Sequence, residues 1–204
     1  MLSLILLAGL PVDMITIGVD RAIVDRVPME LRRYRSTRPP GDLLARWPFD
    51  GSPAHSRPAS GGWQTVSRVQ GHWHEAVQAR ADGAGGSEVL YSRVDLRAPL
   101  APIEALPLAM PAGGVVLRTV VFSDTAGRCA QFIVSLPGRT AHMWPLLCAR
   151  LAARGWRLVG AADCRAAAPA AARWFVRGDE TVAVNLRESG RGSRAVIGYL
   201  VPRP

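Results

Sequence analysis

In the second half of the chain, apolar and polar residues alternate at strand spacing, broken by one stretch of helical spacing. Val115 to Phe122 is a β-branched run, Ser123 to Gly127 has turn composition, and Arg128 to Leu136 is a second extended run, which together predict a hairpin. Pro137-Gly138 ends it. From Ala141 to Arg154 the apolar positions Met143, Leu146, Leu147 and Leu151 recur on one helix face. Thr140 has the chemistry of an N-cap, Arg150 and Arg154 suit the negative end of the helix dipole, and Gly155 stands where a left-handed C-cap is needed. Trp156 follows and is expected to lock helix to sheet.

Trp156 to Val159 is short and extended. Arg173 to Arg177 and Thr181 to Leu186, around Gly178-Asp179, form another expected hairpin, and Arg194 to Val201 supplies a last strand. The class is therefore α+β: a mainly antiparallel sheet of hairpins with one covering helix, in the order β-β-α-β-β-β, over a small domain at 112–204.

Residues 63–111 precede it as a β-hairpin segment and a Pro-rich bridge. Gln64 to Val69, His72 to Arg80 and Glu88 to Leu96 are extended, with a turn from Asp82 to Gly86. Trp73, Glu75, Val77 and Ala79 share one face, while His74, Ala76, Gln78 and Arg80 share the other. This partial alternation predicts an exposed or edge position. Arg97 to Pro111 carries prolines at 99, 102, 107 and 111, which bars a central strand.

Residues 20–62 read as an Arg-rich and then Pro/Gly/Ser-rich linker, too poor in apolar side chains to offset its ordering entropy. The exception is the stretch from Leu43 to Phe49. Its Leu43, Leu44, Trp47 and Phe49 either dock on a partner or pack back on the chain's own domain. Trp73 and Trp174 complete the set of candidate partner-binding residues. Trp174 and Phe175 are adjacent on a strand, so one of them faces outward.

Residues 1–19 are apolar but broken by Pro11 and Asp13. A spanning helix needs about 20 apolar residues, and a central Asp costs about 2.5–3.5 kcal/mol on insertion scales. Three readings fit: an export signal whose start lies upstream, a degenerate membrane anchor, or a pair of apolar strands (Leu2 to Leu7 and Met14 to Val19) separated by a turn at Pro11. The arginines at 21, 26, 32, 33, 35 and 38 oppose translocation of an anchored form.

Charge adds less than its size suggests. All 25 basic residues are arginine, and alanine is abundant, as a GC-rich coding sequence produces. Eight arginines oppose six acids before Trp63 and 17 oppose ten after it, so the excess of +7 lies downstream. Such a field favours anionic partners, but no nucleic-acid motif accompanies it.

Little in the sequence points to chemistry. His72 and His74 are placed to point the same way on a strand, yet no third ligand is tied to them. Neither a nucleophile elbow nor a phosphate-binding glycine loop is present, so no catalytic residue, cofactor or metal is assigned. Of the three cysteines, Cys129 in a strand and Cys148 in the helix read as small buried apolar residues, and a Cys148–Cys164 disulfide is possible only in an oxidising compartment, where it would leave Cys129 odd.

The L-x-x-R-G-W helix end, the R-G-D-E-T-V-A-V hairpin and the final strand, over about residues 115–201, resemble small sheet-and-helix domains of bacterial periplasmic assembly lipoproteins. The lipidated cysteine of such proteins has no counterpart, since Leu occupies the corresponding place in Leu7-Ala8-Gly9-Leu10. The expected function is a non-enzymatic protein-interaction or accessory module of a cell-envelope, secretion or pilus-type assembly. It would be periplasmic or envelope-associated, with membrane contact through the N-terminus. The alternative is a cytoplasmic binding protein for an anionic ligand or nucleic acid.

Overall fold

A computed structural model describes residues 14–47, 49, 55–58, 60–123, 127–160, 164 and 170–202. It is mostly antiparallel sheet with few helices, broadly α+β. Among the described residues, no helix is long and apolar enough to cross a membrane. The chain divides into two compact units, Met1–Arg21 with Val27–Leu100, and Ala22–Arg26 with Ala101–Pro204.

The first unit runs β1 (Met14–Val24, residues 14–21 of it), β2 (Val27–Ser36), α1 (Pro40–Ala45), β3 (His55–Pro58), β4 (Gln64–Gln70), β5 (Trp73–Ala81) and β6 (Ser87–Asp95). Its strands lie in the order β3-β4-β5-β6-β2-β1. The stretch read as a linker at 20–62 therefore carries β2, α1, β3 and part of β1. The β1–β2 hairpin escaped sequence reading because its turn residues, Asp25 and Arg26, both have positive φ (48° and 72°), a conformation that usually announces itself with Asn-Gly. The helix escaped for want of length. Pro40 suits its first turn, where the missing N–H costs nothing, and Leu43 and Leu44 are buried. β5 and β6 are also not edge strands: β6 pairs with β5 on one side and with β2 on the other, from Met29↔Val94 to Ser36↔Ser87. The expectation of an edge failed because β2 comes from the stretch taken for linker.

The second unit runs β7 (Val115–Ser123), β8 (Gly127–Leu136), α2 (Thr140–Ala152), β9 (Arg157–Leu158), β10 (Ala170–Arg177), β11 (Glu180–Ser189) and β12 (Gly192–Pro202), in the sheet order β9-β10-β11-β12-β8-β7. It has one more strand than the expected β-β-α-β-β-β, the two-residue β9. The tip of the β7–β8 turn (124–126), most of the alanine-rich loop (161–163 and 165–169) and the Leu2 to Leu7 stretch lie outside the described residues.

Thr140 does not cap α2. Arg139 holds the N-cap position without a side-chain cap, and the Thr140 hydroxyl lies inside the helix, 3.4 Å from Glu188 Oε1. The other end follows the sequence signal. Gly155 has φ 80°, its N–H donates to Ala152 O and that of Trp156 to Leu151 O, the paired bonds of a Schellman ending. Trp156 is buried, donates from Nε1 to Pro107 O, and meets Tyr199 edge-on with the ring centroids 5.8 Å apart. Cys148 of α2 is disulfide-bonded to Cys164, a loop closure worth about 3 kcal/mol in the chain-entropy account.

Counting along each unit, β1 to β6 and β7 to β12 have the same element order, the same place for the helix and the same sheet order. Registers agree in detail. Ser87 pairs with Ser36 at the end of β2 and donates to Arg38 O (2.5 Å); Ser193 pairs with Leu136 at the end of β8 and donates to Gly138 O. A glycine precedes each serine because a Cβ on Gly86 would collide with Ser36 O, and one on Gly192 with Leu136 O. The chain is thus two copies of one β-β-α-β-β-β-β architecture. We expect Gly192→Ala to lower the urea-unfolding free energy by about 1–3 kcal/mol, the usual cost of overpacking. Ala at Gly190, where a Cβ meets nothing, should cost only the left-handed backbone, about 1–2 kcal/mol.

Candidate functional site

Shared register makes a position-by-position comparison possible, and the copies differ most on the inner face of β4, β5 and β6. In the first unit Arg68 pairs with Glu75 and Glu75 with Arg93. The same places in the second unit hold Phe175, Val182 and Tyr199. A charged cluster thus stands where the sister copy has apolar and aromatic side chains.

The alternation of β5 turns Glu75 to the same side as Val77 and Ala79, which are fully buried, and Glu75 itself is 7% exposed. Tyr91 donates its hydroxyl to Glu75 Oε1 at 2.7 Å, Arg68 Nε donates to Oε2 at 2.7 Å, and Arg93 Nε lies 3.7 Å from Oε1. Aromatic rings flank the cations. The Arg93 guanidinium lies 3.9 Å from the Trp73 ring centre, that of Arg68 lies 4.8 Å from Phe49, and Trp47 stacks on Tyr91 at 6.2 Å. On the neighbouring strand β2, Glu30 is the direct cross-strand partner of Arg93, and Arg32 donates to it at 2.6 Å, so this second pair adds no net charge.

Burial alone would raise the Glu75 carboxyl, but the hydrogen bonds from Tyr91 and Arg68 and the charges of Arg68 and Arg93 outweigh it, and its pKa falls below the usual carboxylate value. Burial, and then the bond to Glu75, pushes the Tyr91 hydroxyl up. The cluster therefore holds two guanidiniums, one carboxylate and a neutral phenol. It carries an excess positive charge, and among the described residues Arg68 Nη1 and Arg93 Nε are buried without hydrogen-bond partners. Guanidiniums set over aromatic rings suit recognition of a carboxylate or similar anion. A depressed, fully occupied carboxylate suits proton transfer poorly, because a general base works with its pKa near the operating pH.

Of the six candidate residues, the structure gathers Trp47, Phe49 and Trp73 around this cluster. Leu43 (1% exposed) and Leu44 (9%) are core side chains of the first unit, so packing on their own domain replaces the partner-binding reading for these two. Trp174 lies in the second unit, 53% exposed on the sheet face away from α2, while its neighbour Phe175 is buried. His72 sits in the turn before β5 with its ring tilted against that of Trp73, centroids 5.0 Å apart, whereas His74 lies on the strand opposite Val69 and Val94, so the two do not form the expected strand pair. Among the described residues, no three His, Cys, Asp or Glu side chains converge as a metal site. Sequence reasoning missed Arg68, Glu75, Tyr91 and Arg93. The available signal was Glu75 itself, a carboxylate on the face of β5 that carries Val77 and Ala79.

No family model matches the chain, and no curated protein or solved structure matches it.

Removing one partner of a buried ion pair leaves an uncompensated charge and typically costs about 3–5 kcal/mol, whereas replacing a whole pair or triad by packed apolar groups is often neutral or stabilising by about 1–4 kcal/mol. We therefore expect Glu75→Gln to lower the unfolding free energy by about 3 kcal/mol. The triple change Arg68→Phe, Glu75→Val, Arg93→Tyr, which installs the sister residues, should leave it unchanged or higher. The pH dependence has a definite sign: a carboxylate lowered in the folded state stabilises above its unfolded pKa, about 4.3, and loses that contribution as pH falls through the folded value. Urea midpoints between pH 6 and pH 3 should fall more steeply for the wild type than for the triple variant.

Proposed function

We propose that this chain is a non-enzymatic protein-interaction or accessory module of a bacterial envelope or secretion assembly, working in an oxidising compartment. The observation that carries the reading is the Arg68–Glu75–Arg93 cluster, a desolvated positive excess that the sister unit shows to be dispensable for the architecture. An anionic group of a partner, a side-chain or terminal carboxylate, offsets that excess. Trp47, Phe49 and Trp73 supply the aromatic surround common at interaction hot spots.

The Cys148–Cys164 disulfide supports the compartment, since such bonds persist where thiols are not kept reduced. Native protein alkylated on acid quench should carry label on Cys129 only and fractionate with the envelope. Label on all three cysteines in a soluble cytoplasmic fraction would instead favour the cytoplasmic anion-binding alternative.

The binding claim is tested by calorimetric titration of the full chain with hexaglutamate at low salt. Wild type should bind, and Arg93→Met should weaken binding by about ten- to a hundredfold, the value of one charge-assisted hydrogen bond. A wild type that gives no binding heat would remove the proposal's support.

A further inference from the structure

The copies also differ on the outer face of the second unit, independently of the cluster. In the first unit Arg80 and Glu88 are direct cross-strand partners and form an ion pair at 2.6 Å. The same positions in the second unit are Arg187 on β11 and Arg194 on β12, again directly opposite. Both are exposed, and among the described residues neither side chain has a hydrogen bond or ion pair. Like charges directly opposite on neighbouring strands destabilise a sheet. The second unit thus keeps a repulsive pair where its sister has an attractive one.

Beside that pair lies an apolar surface. Trp174, Val196 and Leu200 are 53%, 41% and 43% exposed on this face, whereas α2 covers the other. Between them the side chains are small. Trp174 pairs with Ala183 and Ala183 with Gly198, and a Cβ placed on Gly198 would lie 3.9 Å from that of Ala183. Small residues next to an exposed indole leave a shallow trough, open to one apolar side chain. From Arg194 to Gly198 is four residues of strand, about 13 Å at about 3.3 Å per residue.

We propose that this face docks an extended, acidic protein segment. Its carboxylates would meet the Arg187–Arg194 pair, and an apolar side chain about four residues away would fill the trough beside Trp174. Charge complementarity selects the occupant: two unneutralised guanidiniums at one end demand an acid, and the exposed apolar row demands a side chain to cover it.

The test uses the full chain and a labelled peptide with two glutamates and, four residues on, a phenylalanine, read by fluorescence anisotropy at low salt. Arg194→Glu should raise the melting temperature, by creating the ion pair present at Arg80–Glu88, and weaken peptide binding at least about tenfold. Trp174→Ala should weaken binding, and so should exchanging the peptide glutamates for lysines. The loss on Arg194→Glu should persist in an Arg93→Met background, which separates this site from the buried cluster. Peptide affinity indifferent to Arg194→Glu would overturn the proposal. So would wild-type protein that binds phosphatidylglycerol vesicles but not the peptide, which would assign the face to a lipid surface.

Discussion

Each unit depends on one close approach, the point where the Gly-Ser opening of the last strand runs beside the end of the strand that precedes the helix. At Gly86-Ser87 and at Gly192-Ser193 the glycine leaves no room for a side chain against a carbonyl oxygen, and the buried serine closes the junction by donating to a second carbonyl two residues on. The bonded residues are 49 and 55 positions apart, so the junction draws together the two ends of a unit. Once it forms, the register of the long pairing is set, and a slip of one residue would turn every side chain to the opposite face.

Because both copies are held by the same junction, their differences can be read as choices of chemistry on one frame. The second unit has a 13-residue helix whose Trp144, Leu147 and Leu151 cover a continuous apolar face. Charged side chains reach its edges, where Arg177 lies over Trp156 and pairs with Glu180, which also accepts from Tyr199, and where Arg173 lies over Trp144. The first unit has a six-residue helix that covers only part of its sheet through Leu43 and Leu44. Trp47 and Phe49 take over beyond its end, and beneath them the strands present ions. The shorter helix and the charged strand positions belong together, because a buried ion cluster needs hydrogen bonds more than apolar cover.

The outer faces show the opposite distribution. There the first unit pairs Arg80 with Glu88, and among the described residues the second carries two arginines without ion-pair partners beside an exposed tryptophan. Each copy is therefore conservative on one face and has given up stability on the other. The repeated frame accommodates this, since each kind of face is represented in apolar or ion-paired form by its sister.

Much of the second unit was legible from the sequence alone. β-branched runs, a helical repeat and the Gly155-Trp156 ending are local signals, each dictated by backbone preference or by the periodicity of one buried face. In the first unit the runs of β4, β5 and β6 were legible as well, but the rest was not, for equally physical reasons. Its first hairpin turns on Asp25-Arg26 without glycine, its helix is too short to show a period, and its arginine-rich strands look solvated when read alone. Glu75 could be placed on the face of Val77 and Ala79, but not beside Arg68, Tyr91 and Arg93, because cross-strand register is absent from local sequence. The repeat was hidden too, since the copies share hardly more than Gly-Ser ahead of the last strand of each. Side-chain periodicity, turn chemistry and charge were thus determined by the sequence by itself. Which charges meet, and which are left unpaired, was decided only when strands distant in the chain came into register, because that choice is made between strands rather than along them.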